Sequence, residues 1–173
     1  SPRKKMIADL ATRYNTFIFD LDRTVWDTNS KTGEPIWAKQ MLRPYAFDGE
    51  DTIIDDVFST CSLHNGVRAA LEHLHTLGKD IGFLSRGGIY ELEYEKQPSV
   101  LLLKKFGIYD FFNYEKVLLY KTDLKLYNLK EIAQACGEYV FFDDNGKDLA
   151  EANSIEGVKA VDRNSFTCWE SIL

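Results

Sequence analysis

Short apolar runs alternate with longer amphipathic stretches along most of this chain of 173 residues. The apolar runs have the length and composition of buried strands, and they lie at 17–19, 80–85, 117–119, 139–142 and 158–161. Between them, apolar residues three and four positions apart predict helices at 66–77, 98–106, 125–135 and 147–153, with Asn65 as the N-cap of the first. This alternation predicts an α/β fold in which helices cover a mainly parallel sheet.

The segment 27–61 interrupts this alternation. It is polar and contains several glycines and prolines, so it is too broken to form a domain of its own. We expect a loop or flap over the ends of the strands, with a β-hairpin as one form it could take. The length of the chain fits one domain over 1–173, with this flap as an insertion and with no large cap domain.

Carboxylates stand directly after two of the predicted strands. Asp20 and Asp22 follow the first strand, and Asp143 and Asp144 follow the strand at 139–142. Buried carboxylates without partners are costly, and ligands bind at the carboxyl ends of strands in open α/β sheets. Acids gathered at that edge indicate a hard divalent cation such as Mg²⁺, although Asp-Asp-Asn-Gly at 143–146 is also an ordinary turn sequence.

Composition excludes some classes of function. The net charge of −6 argues against a protein that works mainly by gripping nucleic acid. No apolar run approaches the roughly 18 residues of a membrane span, and no signal peptide is visible. Three cysteines without paired spacing indicate reduced thiols, so a cytoplasmic location is expected. Because the chain begins with Ser1 rather than methionine, it could be part of a longer protein.

The order of the polar motifs resembles that of the haloacid dehalogenase superfamily over 17–161. The likeness is strongest to its small capless magnesium-dependent phosphatases. It rests on Asp-Leu-Asp-Arg-Thr at 20–24 with Trp26 soon after, on Ser85-Arg86, and on Phe-Phe-Asp-Asp at 141–144. The resemblance implies a three-layer α/β/α Rossmann-like fold and a phosphoric monoester hydrolase that uses Mg²⁺.

The resemblance also implies a role for each motif. Asp20 is expected to attack phosphorus and form an aspartyl-phosphate, and Asp22 to act as the general acid and base. Ser85 is expected to bind the transferring phosphoryl group, and Lys125, or Lys121 as the second choice, to neutralise charge. The expected metal ligands are Asp20, the backbone carbonyl of Asp22, Asp144 and Asp143, with Asp144 favoured over Asp143. Thr24, Arg86 and Trp26 complete the expected phosphate and substrate contacts, with Thr24 orienting Asp22.

Two other functions use similar residues. A phosphorelay receiver domain also holds acids and a lysine around Mg²⁺, with an acid pair after its first strand. The acid pair after a late strand and Asp-x-Asp-x-Thr after the first strand disfavour it here. A branch of the same superfamily transfers acyl groups to carrier proteins and has a cysteine before the second-motif serine, where this chain has Leu84. An uncovered site suits a phosphorylated small molecule, such as a sugar phosphate, or a phosphoprotein, including one with phosphotyrosine. Trp26, Trp37 and Tyr45 are the aromatic residues expected at its entrance.

Overall fold

The computed structural model describes residues 5–120 and 125–173. In chain order, its strands are β1 (Thr16–Phe19), β2 (Trp26–Asn29), β3 (Ala46–Phe47), β4 (Thr52–Ile54), β5 (Thr60–Leu63), β6 (Asp80–Ser85), β7 (Lys116–Leu118), β8 (Tyr139–Asp143) and β9 (Val158–Asp162). The α-helices are α1 (Met6–Arg13), α2 (Val67–Thr76), α3 (Pro98–Lys105), α4 (Lys125–Cys136) and α5 (Gly146–Asn153). None of these helices is long and apolar enough to cross a membrane.

The central sheet is parallel and has five strands in the order β7-β6-β1-β8-β9. This confirms the predicted α/β class. In register, Phe19 lies opposite Phe83 of β6 and Phe142 of β8. Every residue of β1 and of β8 is buried, because helices cover the sheet. The carboxyl ends of β1, β6 and β8 therefore lie side by side at one edge.

Alternate residues of β1 join two different hydrophobic clusters. Phe17 and Phe19 belong to a large cluster that includes the apolar residues of α2 and α3. Ile18 belongs to a second cluster with Leu129 of α4 and Ala152 of α5. This is the pattern that a strand produces when successive side chains point to opposite faces of a sheet that is packed on both sides.

The segment between β1 and α2 is more regular than the predicted loop or hairpin. It forms a second, antiparallel sheet in the order β2-β5-β4-β3, and a short 3-10 turn at Ala38–Gln40. We call the chain from β2 to β5 the flap. Its strands have only two to four residues, and polar pairs such as the Thr52 and Ser62 hydroxyls, 2.9 Å apart, take the place of an alternating apolar pattern. Strands this short and polar carry little periodic signal.

The start of α2 also differs from the prediction. Gly66, and not Asn65, is the N-cap, and its φ of 82° lies in the left-handed region. A Cβ at Gly66 would lie 2.4 Å from the backbone nitrogen of Glu170, so close approach of the chain's last turn requires glycine there. The C-terminal segment reaches further into the core, where the Trp169 indole donates to the Thr24 carbonyl at 3.0 Å.

Candidate active site

The ends of β1, β6 and β8 border a cavity of about 190 Å³. Its lining includes most of the residues that the sequence predicted, Trp37 among them, and three that it did not. The lining residues are Asp20, Asp22, Trp37, Lys39, Ser85, Arg86, Lys125, Asp143, Asp144, Asn145 and Asp148. Trp37 and Lys39 come from the flap, whereas Asn145 and Asp148 belong to the start of α5.

Asp20 lies at the base of this cavity and is only 7% exposed. Its Oδ1 accepts a hydrogen bond from Lys125 Nζ at 3.0 Å, and its Oδ2 accepts one from Thr24 Oγ1 at 3.3 Å. Thr24 thus orients Asp20, whereas the sequence had assigned it to Asp22 and to substrate contact. Burial raises the pKa of Asp20 well above its ordinary value, against the opposing charge of Lys125.

Lys125 is the first residue of α4 and is 1% exposed. Its Nζ lies 3.0 Å from Asp20, 2.9 Å from Asp143 and 3.7 Å from Asp148. Burial alone would lower the pKa of the ammonium, but these carboxylates raise it above its ordinary value. The lysine is therefore charged at neutral pH. The alternative candidate, Lys121, lies outside the described residues.

Asp22 has a different environment from Asp20, although only one residue separates them. Its Oδ1 accepts hydrogen bonds from Trp26 Nε1 at 2.9 Å and from the Ala38 backbone N–H at 3.2 Å. Burial raises the pKa of Asp22, and these two donors oppose the increase. Trp26 is fully buried, so the expectation that it contacts substrate is wrong; its indole holds Asp22 instead. Tyr45, also expected at the entrance, does not line the cavity, and its hydroxyl donates to the Met41 carbonyl at 3.3 Å.

Asp143 and Asp144 complete an acidic cluster with Asp20. One carboxylate oxygen from each of the three lies within 4.8 Å of the others. Asp143 Oδ1 accepts hydrogen bonds from the backbone of Asp144 at 2.7 Å and of Asn145 at 3.1 Å. Asp143 Oδ2 is buried and has the nearby charge of Lys125 but no hydrogen bond within the described residues. Burial, with the hydrogen bond and charge of Asp143, raises the pKa of Asp144 to about 6.

This cluster suits a small divalent cation. Opposite ligands of Mg²⁺ are about 4.2 Å apart, so the three oxygens are near the separation that the ion requires. The raised pKa values of Asp20 and Asp144 mark a site that is short of positive charge. Five carboxylates and three cationic side chains line the whole cavity, and a divalent ion would balance them.

Ser85 is the last residue of β6 and Arg86 follows it, so both lie at the strand end where the sequence predicted them. Ser85 is 2% exposed, and its hydroxyl accepts a hydrogen bond from the Gly87 N–H at 3.2 Å. Arg86 lines the cavity, but its guanidinium is bound by both oxygens of Asp148, at 2.5 and 2.6 Å. Asp148 therefore holds Arg86 in place, and the contact of Arg86 with phosphate stays a prediction.

Sequence reasoning missed Asp148 and Lys39. Asp148 lies in the first turn of α5, where the Asn145 side chain accepts from its backbone N–H at 3.1 Å. An acid there is typical of any helix N-terminus, so no sequence signal distinguished it. Lys39 lies in the flap, 17 positions after Asp22, and only the folded chain brings it to the cavity.

The chain matches no protein-family model, and it matches no curated protein. Among solved structures, it is similar to a hypothetical protein from Xanthomonas campestris. The two are 16% identical, with a TM-score of 0.45, and the match covers 90% of this chain and 67% of the other. Nothing about function follows from a likeness of this strength.

Proposed function

We propose that this protein is a Mg²⁺-dependent phosphomonoesterase of the haloacid dehalogenase type, with the three-layer fold and open site of the capless phosphatases. The observation that carries the proposal is the contrast between Asp20 and Asp22 in one cavity. Asp20 is ion-paired with Lys125 beside two further acids, whereas Asp22 is held by two N–H donors and has no lysine contact within the described residues. Two carboxylates with separate environments suit separate roles, one as nucleophile and one as acid and base.

The residues that would hold the metal are Asp20, Asp144 and the backbone carbonyl of Asp22. Asp143 supports them, since it lies against both Lys125 and the backbone of Asp144. When bound, Mg²⁺ supplies charge neutralisation for the carboxylates and for the phosphoryl oxygens of the substrate. Lys125 contributes a second positive charge at Asp20.

In the first step, an oxygen of Asp20 attacks phosphorus while the bond from phosphorus to the leaving oxygen breaks. Asp22, whose raised pKa favours the protonated form, gives its proton to that leaving oxygen. Ser85 binds a phosphoryl oxygen through its hydroxyl. In the second step, Asp22 takes a proton from water as the water oxygen attacks phosphorus. The phosphate leaves, and the carboxylate of Asp20 and the proton on Asp22 are both restored.

The presence of Asp22 beside Asp20 favours turnover over the receiver alternative. A receiver keeps its phospho-aspartate because no second carboxylate activates water, whereas Asp22 lines this cavity. The carrier-protein alternative has less support, because Leu84 is fully buried where that branch has its cysteine. We expect catalytic release of phosphate and no long-lived phosphoprotein in the wild type.

The test is phosphate release from phenyl phosphate with Mg²⁺ and with a chelator, for the wild type, Asp20→Asn and Asp22→Asn. Asp9→Asn, on the exposed side of α1, is the matched control. Asp20→Asn should lower kcat by about 10⁴-fold or more, and Asp22→Asn should accumulate the phosphorylated protein. Full activity of Asp20→Asn, or activity that persists in chelator, would contradict the proposal. A wild-type phosphoprotein that lasts for hours would favour the receiver.

A further inference from the structure

Two flap residues, Trp37 and Lys39, line the cavity on either side of Ala38, whose backbone contacts Asp22. The Ala38 backbone N–H donates to Asp22 Oδ1 at 3.2 Å, and its neighbours Trp37 and Lys39 both line the cavity. If Asp22 protonates the leaving oxygen, the group attached to that oxygen lies beside Asp22, on the side of the cavity that Trp37 and Lys39 line. The segment 37–39 is therefore positioned to contact the leaving group and to select among leaving groups.

The cavity itself is too small to hold a whole substrate. Its volume of about 190 Å³ lies below the roughly 300–1,000 Å³ of sites that enclose a complete ligand. It can take a phosphoryl group with a few waters. The leaving group then remains at the mouth, where Trp37 is 53% exposed.

Lys39 differs from the other cations of the cavity. Lys125 is ion-paired with Asp20 and Asp143, and Arg86 is held by Asp148. Lys39 is half-buried, and its ammonium makes no hydrogen bond or ion pair with residues 5–120 or 125–173, although its charge helps to lower the pKa of Asp22. A half-buried cation at a binding site interacts favourably with a ligand that carries an anionic group.

Trp37 offers a fixed flat surface next to this charge. The Arg23 guanidinium lies 5.6 Å from the centre of the Trp37 ring, and it is itself bound to the carbonyls of Thr28 at 3.2 Å and Ile36 at 2.7 Å. The exposed indole is thereby held in one orientation. A planar group that stacks on it loses little further side-chain freedom, so binding there is favourable.

We propose that Lys39 and Trp37 form a leaving-group site, and that the substrate is a phosphomonoester with a planar leaving group that carries a carboxylate. This inference rests on the proposed function and names its substrate class. Lys39 pairs with the carboxylate, Trp37 stacks on the planar part, and Ala38 keeps Asp22 in line with the leaving oxygen between them.

The test compares phenyl phosphate with 4-carboxyphenyl phosphate, in Mg²⁺, for the wild type, Lys39→Met and Lys39→Arg. Lys31→Met is the matched control, because Lys31 is an exposed flap lysine outside the cavity lining. Lys39→Met should lower kcat/KM for the carboxylated ester about tenfold more than for phenyl phosphate. Lys39→Arg should keep most of the preference, and Lys31→Met should leave both values unchanged.

Equal losses for the two esters would overturn the inference, because Lys39 would then act on the phosphoryl group or on Asp22. An unchanged preference in Lys39→Met would overturn it as well. Inhibition by inorganic phosphate tests whether Lys39 acts on the phosphoryl group. The inference expects the same inhibition constant in the wild type and in Lys39→Met.

Binding of the leaving group alone separates this inference from the proposed function. In NMR titrations, 4-hydroxybenzoate should bind the wild type more tightly than phenol, and Lys39→Met should lose that difference. If neither ester is hydrolysed but the binding difference is present, the proposed phosphatase function fails and the leaving-group site stands. If the binding difference is absent, the inference fails whatever the activity.

Discussion

Replacing Trp26 with phenylalanine tests how the structure holds Asp22. The change removes the indole N–H that donates to Asp22 Oδ1 at 2.9 Å and leaves only the Ala38 N–H at 3.2 Å. A hydrogen bond to a carboxylate is worth about 1.5–3 kcal/mol, and one pKa unit corresponds to about 1.4 kcal/mol. Burial already raises the pKa of Asp22, and the Trp26 bond is the largest effect that opposes it. Trp26→Phe should therefore raise the pKa of Asp22 by a further 1–2 units, on the order expected from these energies.

The assay is the pH dependence of kcat, together with the chemical shift of the Asp22 carboxyl carbon, which reports its pKa without activity. In the proposed mechanism Asp22 must be ionised to take a proton from water, so the acidic limb of the profile should move to higher pH by the same amount. Trp169→Phe is the matched control, since Trp169 is also fully buried and its indole donates at 3.0 Å to the Thr24 carbonyl. Both variants should unfold more easily, and only Trp26→Phe should move the limb. An unmoved limb and an unchanged Asp22 titration, with both variants equally destabilised, would refute the assignment.

Two further predictions concern acids that line the cavity. In the proposed site, Mg²⁺ binds the ionised form of Asp144, whose pKa is raised to about 6 by burial and by Asp143. The affinity for Mg²⁺ should therefore fall about tenfold per pH unit below that value. Calorimetric titration at several pH values tests this, and a constant affinity would contradict it. Asp148→Asn should cost about 2–3 kcal/mol of unfolding free energy at neutral pH, less than a fully buried pair because the Arg86 side chain is 27% exposed. Burial alone would raise the pKa of Asp148, but the Arg86 hydrogen bonds and nearby cations lower it. The stability that ionised Asp148 contributes is therefore complete above about pH 3.8 and is lost as the pH falls through the pKa of the folded state. In urea unfolding, the free energies of unfolding of the wild type and Asp148→Asn should thus converge at acid pH. A difference that persists there would indicate lost packing rather than lost charge.

The part of the site that lies on the central sheet could be predicted from sequence. Strands that are buried on both faces give continuous apolar runs, so the run at 80–85 matched β6, and α4 begins at Lys125 as expected. Parallel strands end at a common edge, and this rule alone brought the acids after β1 and β8 together with Ser85. Where the sequence shows a clear apolar run or helical periodicity, the positions of the strand and helix ends could be predicted with few further assumptions.

The flap could not be predicted in the same way. Its strands are too short for periodicity to be visible, and its contacts are set by tertiary pairing, such as Trp26 opposite Leu63 in β2 and β5. The error about Trp26 has the same origin. A tryptophan two residues after Thr24 resembles an entrance residue in sequence. In the fold, β2 directs it into the core, where it is fully buried and packs against Phe106 and other apolar side chains.

Under the proposed function, the flap nevertheless has a consequence for catalysis that the central sheet alone would not produce. Both hydrogen bonds to Asp22 come from it, one from Trp26 in β2 and one from the Ala38 backbone. Trp37 and Lys39, on either side of Ala38, are the flap side chains that line the cavity. A leaving group that contacts this segment therefore contacts the same backbone that fixes the proton donor. Binding of the correct leaving group and alignment of Asp22 are thus properties of one segment, and a change in the segment 37–39 should alter substrate choice and the pKa of Asp22 together.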